Sequence, residues 1–224
     1  MTARCGRHAP DNGRDAPATG SRRDRLRRAT GAPHAALEAR LEAGGCFDSL
    51  DGYARYLGAV APLYAALEDA LHDAGAGRLL PDWPRRRKAG LVRADLRALG
   101  SRAPAIARAA PGAGAGVTAP PWHAGAVLAT LYVSEGATLG GAVLARRVAR
   151  LGLTRERGAA FLDPYGPDRG AMWRGFLGAL EGAALTPGEE EELGPRAAAV
   201  FALFAARIAA PAPAAPLRPE PAAP

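Results

Sequence analysis

An all-α fold built around a single domain is predicted by three features of this 224-residue chain. Ala, Leu, Arg and Gly dominate it, while the β-branched and aromatic residues that suit a pleated sheet are scarce. Apolar residues recur at helical spacing over several long segments. The breaks between those segments carry caps, glycines and prolines rather than the short turns of hairpins. No internal repeat interrupts the pattern, and the length suits one good-sized core.

The elements follow in order. Residues 1–21 are polar, aperiodic and rich in Gly and Pro, and they predict a disordered arm before a domain at 22–209. LRRATGAPHAALEARLEAGG is a first helix with Leu37 and Leu41 on its apolar stripe and Gly44-Gly45 at its stop. Pro33 either kinks it or lies in the first turn of a new helix capped by Thr30. In the next segment Leu50, Tyr53, Leu57, Val60, Leu67 and Leu71 keep helical register, with a bend expected at Pro62. RRRKAGLVRADLRALG predicts a third helix ending at Gly100, and SRAPAIARAAPGAGAGVTAPP a loop-rich connection. A long helix is expected over 122–151 and a short one over 171–180. The last starts at the capping box Thr186-Pro187-Gly188-Glu189, with Leu193, Ala197, Val200, Phe201, Phe204 and Ile208 buried and a kink at Pro195. APAPAAPLRPEPAAP, within 210–224, is a disordered Pro/Ala tail.

Charge and cysteines narrow the function classes. The formal charge is +7, nearly all arginine, Lys88 being the only lysine. Basic runs at 22–28 and 85–88 could track phosphates, yet no aromatic residues interleave with them. A solvated face, or a surface for an acidic partner, suits them better than nucleic acid. Cys5 and Cys46 form neither a disulfide framework nor a zinc site, which suits free thiols in a reducing compartment. No secretory signal is evident, and the longest apolar run, AAAVFALFAARIAA, is short and carries Arg207. The expectation is a cytoplasmic protein without a membrane span.

Two constellations could carry chemistry. Of the four histidines, His8 lies in the arm and His72 in a polar turn, whereas His34 shares one helix face with Glu38 and Arg27. A carboxylate four residues on can accept the ring N–H and leave the other nitrogen for a metal. An arginine two turns back can meet a ligand carboxylate. Spacing alone fits equally a surface histidine with an ordinary helical partner, which is the commoner case. The second constellation is LYVSEGATLGGAVLARR, where Gly136, Gly140 and Gly141 each cost roughly 1 kcal/mol against alanine in a helix interior. Such glycines either admit a neighbouring helix closely or leave a bare backbone against which a flat ligand can lie.

Taken together, the His34-x-x-x-Glu38 helix and the glycine helix about a hundred residues later resemble the heme oxygenases. The likeness is to the bacterial, biliverdin-producing branch associated with bacteriophytochromes, and it spans about residues 23–208. RRRKAGLVRADLRALG and FLDPYGPDRGAMWRGF are similar to connecting segments of that branch. The resemblance implies a helical fold with heme, both substrate and cofactor, sandwiched between a proximal and a distal helix. It implies His34 as axial ligand of the iron, Glu38 as its orienter and Arg27 as a propionate partner. Gly136, Gly140 and Gly141 would form the distal wall, and Phe201 an aromatic near the heme edge. The reaction implied is cleavage of heme by O2 and electrons to biliverdin, CO and ferrous iron. Electrons would come from an acidic redox protein such as a ferredoxin or flavodoxin, or from an NAD(P)H-dependent reductase. A bacteriophytochrome is the implied user of the biliverdin.

Two positions depart from the pattern. Several heme oxygenases carry an aspartate after the first distal glycine, where this chain has Ala137. Basic residues of some relatives' late helix fall on Trp173 and Leu177, leaving the neighbouring Arg174 as the candidate cation. The alternatives are a heme carrier of the same fold, a thiaminase-like or di-iron helical enzyme, and a nucleic-acid-binding module.

Overall fold

A computed structural model describes residues 20–100 and 121–209. The expected arm with Cys5 and His8, the 101–120 connection and the Pro/Ala tail lie outside the described residues. Among the described residues eight helices follow one another: α1 (Arg22–Ala43), α2 (Leu50–Asp73), α3 (Ala76–Leu79), α4 (Trp83–Arg86), α5 (Ala89–Ala98), α6 (Ala124–Ala149), α7 (Arg169–Gly182) and α8 (Pro187–Ala209). A 3-10 turn at Gly166–Asp168 precedes α7. Among the described residues the only β pairings are isolated bridges at Thr154.

The last helix is the platform of the fold. α8 buries Leu193, Ala197, Val200, Phe201 and Phe204, and α1, α2 and α6 all pack on it. Its start is the predicted capping box: the Thr186 amide and hydroxyl both donate to Glu189 Oε2 at 2.8 Å. Those bonds hold the Glu189 carboxyl down at about 2. α1 is a polar helix that buries only Leu26 and Thr30. Ion pairs hold it instead, since Arg22 and Arg25 both meet Glu190 of α8. A close crossing adds to this, because a Cβ on Gly194 would stand 3.0 Å from the Ala29 Cβ.

The prolines do not divide the helices. α1 runs unbroken through Pro33, α2 through Pro62 and α8 through Pro195. Thr30 caps nothing: it lies inside α1 and its hydroxyl donates to the Leu26 carbonyl at 2.7 Å. The third predicted helix, by contrast, is two. α4 stops at Arg86 and α5 starts at Ala89, because Glu68 of α2 reaches across to cap it, accepting the Lys88 amide and, at 3.0 Å, the Ala89 amide. Gly100, with φ +61°, lies just beyond α5, where only a residue without a Cβ adopts that backbone freely.

That break turns the second basic run inward. Arg86 and Lys88 are each 2 % exposed, so they are not the solvated face their sequence suggested. Both bond the buried carboxylate of Glu135 on α6, Arg86 Nη1 at 2.6 Å and Lys88 Nζ at 2.6 Å. The Tyr165 hydroxyl donates to the same carboxylate at 2.9 Å. Arg86 also grips Asp82 and the Met172 carbonyl, so α4, α6, α7 and the loop before α7 meet at one anion. α6 is the one helix among the described residues long and apolar enough to cross a membrane, yet more than half of its apolar window is packed inside.

Removing one partner from a buried charged cluster costs more than the cluster contributes, because the remaining charges stay desolvated. Glu135→Gln is expected to lower unfolding free energy by about 3–5 kcal/mol, read by urea denaturation. The Glu189 contribution is complete above the ordinary carboxylate range, near 4.5, and is lost as pH falls towards about 2. Glu189→Gln is therefore expected to flatten that part of the acid-denaturation profile.

Candidate functional site: a slot between two parallel helices

α1 and α6 both lie on α8, and they are cross-linked at two levels. At one, the Tyr132 phenol of α6 lies beside the Thr30 hydroxyl of α1, with Arg23 and Arg27 close enough to act on it electrostatically. At the other, Arg147 of α6 bonds Glu42 at the end of α1 at 2.5 Å and Asp48 beyond it at 2.6 Å. The two cross-links come in the same order along both helices, so the helices run parallel. The span between the two cross-links, about 18–22 Å at 1.5 Å per residue, is the candidate slot.

The walls of the slot differ in chemistry. His34 stands one turn beyond Thr30 on α1, and its Nδ1 lies 3.5 Å from Glu38 Oε2, with both side chains more than half exposed. The Glu38 carboxylate thereby occupies the Nδ1 side, which makes Nε2 the nitrogen that could meet a ligand. Phe201 of α8 meets the imidazole edge to face, ring centroids 5.5 Å apart, and closes the floor behind it. Gly136 stands one turn beyond Tyr132, level with His34. A Cβ there would meet only the Trp173 ring, at 3.9 Å, and one on Gly140 would meet nothing within 4 Å. Leu139 and Val143 beside them are the exposed large apolar residues among those described. Bare backbone and uncovered apolar side chains opposite an imidazole fit a flat, apolar, metal-centred ligand.

Gly141 does a different job. A Cβ on it would come within 2.3 Å of the Leu162 carbonyl oxygen, so this glycine lets the 151–166 loop lie on the far side of α6. It is buried and does not belong to the slot wall. Five residues advance a helix by about 140°, so Gly141 faces the loop while Gly136 and Gly140 face the more open side of α6. Arg174 is exposed, and its guanidinium folds back to 3.3 Å from where a Cβ on Gly170 of its own helix would stand. Trp173, one residue before it, borders Gly136, tilts against Tyr132 and stacks on Phe176. Arg27 is exposed on the same face of α1 as His34, two turns earlier.

Several residues that shape the slot escaped the sequence reading. Arg147, Glu42 and Asp48 are charged residues near helix ends with no mutual spacing rule. Leu139 and Val143 look like core positions in a helix pattern. His123 is structural, accepting the Ala126 amide at 3.2 Å as the cap of α6 and meeting Glu192 at 2.7 Å. Behind the slot, burial pushes the phenols of Tyr56 and Tyr64 well up, so both are neutral hydrogen-bond groups at any ordinary pH.

Comparison with known proteins gives this geometry its context. The family described as heme oxygenase matches residues 22–210. The chain belongs to the heme oxygenase family. It is 31 % identical over 177 residues to heme oxygenase PigA of Pseudomonas aeruginosa, covering 79 % of this chain and 85 % of that one. The heme oxygenase of Neisseria meningitidis, solved with NO and CO bound, superposes with a TM-score of 0.72 at 25 % identity, over 84 % of this chain and 90 % of that one. Heme oxygenase-1 of the cyanobacterium Synechocystis, solved in complex with heme, shares the fold with a TM-score of 0.66 at 18 % identity, over 84 % and 91 %. The chain is thus an enzyme of heme degradation, with heme as its substrate, rather than a carrier of the same fold.

The two kinds of glycine separate by stability. Gly141→Ala is expected to cost about 1–3 kcal/mol through its clash with the loop backbone. Gly140→Ala is expected to be neutral or to gain up to about 1 kcal/mol from helix propensity. Thermal denaturation of the two heme-free variants beside wild type checks both.

Proposed function

We propose that heme lies in the slot with its iron on His34 Nε2 and its distal face against the Gly136–Gly140 backbone. The observation that carries this reading is the pairing of an imidazole on α1 with the face of α6 at Gly136 and Gly140, where neither residue carries a Cβ, between two cross-links of the helices. When bound, heme supplies both the iron at which O2 is reduced and the porphyrin that is opened to biliverdin, CO and ferrous iron.

The chain's own groups have separable roles. Glu38 holds the His34 ring by its Nδ1 side, so that the neutral imidazole presents Nε2 rather than turning with the solvent. Phe201 backs the ring and keeps it from folding onto α8. Arg27, and Arg174 from across the slot, supply guanidinium groups for the two propionates. Gly136 and Gly140 allow close approach, Leu139 and Val143 exclude water from the ring, and Trp173 closes one end. Gly141 acts only through packing of the loop.

The formal charge of +7 supports an acidic electron donor such as a ferredoxin or flavodoxin, or an NAD(P)H-dependent reductase, drawn in by its field. The sequence likeness to the branch associated with bacteriophytochromes supports a bacteriophytochrome as user of the biliverdin. A cytoplasmic site of action suits the lone buried thiol described, Cys46.

Hemin titration followed by ascorbate or a reductase in air, watched by absorption spectroscopy, tests the assignment. Wild type is expected to bind one heme and convert it to biliverdin with CO release. His34→Ala is expected to lose turnover and more than tenfold in hemin affinity, with recovery on adding imidazole. An unchanged spectrum and turnover in His34→Ala would remove His34 from the site.

A further inference from the structure

His123 stands at the start of α6, far along the helix from the glycines, and its two ring nitrogens meet different groups. Nδ1 accepts the Ala126 amide at 3.2 Å, which caps the helix. A ring nitrogen that accepts carries no proton, so in this form Nε2 holds the hydrogen and donates it to Glu192 Oε2 at 2.7 Å. The Glu189 carboxylate lies against the same Nδ1, with Oε1 at 3.3 Å. Two acceptors therefore face one another. Glu189 Oε1 also takes the Gly125 amide at 3.3 Å, which leaves it a further lone pair.

The backbone enforces this meeting. A Cβ on Gly125 would stand 2.9 Å from the Glu189 carbonyl oxygen and 3.2 Å from His123 Nδ1, so glycine lets the start of α6 lie directly on the start of α8. Glu189 is not free to swing clear, because its Oε2 accepts both the amide and the hydroxyl of Thr186 at 2.8 Å. Beside the imidazole, the Arg196 guanidinium covers the Trp122 ring at 4.5 Å. The charged groups on this side of α8 are thus Glu189, Glu192 and, beyond Trp122, Arg196, while Glu190 is engaged by Arg22 and Arg25 of α1. α6 has no charged residue before Glu135.

The Ala126 and Glu189 contacts of Nδ1 exclude each other. With Nδ1 bare, the Ala126 amide has its acceptor and Glu189 Oε1 faces a lone pair. With Nδ1 protonated, the N–H is donated to Glu189 and Ala126 loses its cap. Histidine is the side chain that ordinarily changes charge between about pH 5 and 8. A cation at a helix N-terminus opposes the helix dipole, and the two carboxylates offset that cost.

We infer that His123 is a proton-operated clasp between the starts of α6 and α8. Neutral, it caps α6 through Ala126; protonated, it gives up that cap and bridges Glu189 and Glu192. α6 carries the glycine face, so acid loosens the first turn of that helix while tying His123 more firmly to α8. The clasp uses protein groups alone and stands whether or not heme occupies the slot.

NMR of the uniformly 15N-labelled, heme-free protein between pH 8 and pH 5 tests it. In wild type the Ala126 amide resonance is expected to move with the same midpoint as His123 Nδ1. Its exchange protection, taken against the unfolded chain at the same pH, is expected to fall by about fivefold or more, the loss of one N-cap. His123→Asn keeps a capping oxygen without the titration, so its Ala126 amide is expected to stay protected throughout. A His123 ring that does not titrate in this range would overturn the clasp. So would an Ala126 amide that ignores the His123 titration in wild type, or one that loses protection equally in His123→Asn.

Discussion

One buried carboxylate has to satisfy an arginine, a lysine and a tyrosine at once, and α6 has a single rotation at which it can. Glu135 lies at 1 % exposure between Arg86, Lys88 and Tyr165, groups that arrive from the α4–α5 junction and from the loop before α7. In a medium of low polarizability none of these charges tolerates a lost partner. With Glu135 held, its neighbour Gly136 is turned about 100° away, into the slot. Gly140 follows on the same face, and Ser134, Thr138 and Gly141 line a small internal cavity against the loop. The ion cluster thus performs a positioning task at a distance from any ligand: it aims the bare face of the helix.

The opposite wall is built by other means. α1 buries almost nothing, so burial cannot hold it, and its position rests on the Arg22 and Arg25 pairs with Glu190, the close Ala29–Gly194 crossing and the two cross-links to α6. Exposed ion pairs such as Arg147 with Glu42 and Asp48 contribute little each and weaken with salt.

Much of this was legible in the sequence, for local reasons. Helical periodicity, the Thr186–Glu189 capping box and the glycines after α1 and α5 follow from chemistry within a few residues, as does the His34–Glu38 pairing. The break at Arg87–Lys88 was not legible, because its cause is Glu68, distant in the chain. The inward turn of Arg86 and Lys88 was hidden for the same reason: a run of basic residues gives no sign of an acid 47 positions on. Gly141 shows the limit of reading spacing as function, since three glycines in six residues serve two surfaces of one helix. Pro33, Pro62 and Pro195 end no helix, since α1, α2 and α8 each run on past them.

The central claim is that a flat ligand lies against the backbone at Gly136 and Gly140. It is tested most directly by filling that space without disturbing the fold. Gly140→Leu adds a side chain where nothing stands within 4 Å, and Gly178→Leu does the same on α7, away from the slot. The account predicts that both variants melt like wild type, while Gly140→Leu alone loses hemin affinity by tenfold or more in an absorbance titration. Hemin binding by Gly140→Leu equal to that of wild type and of Gly178→Leu would contradict it.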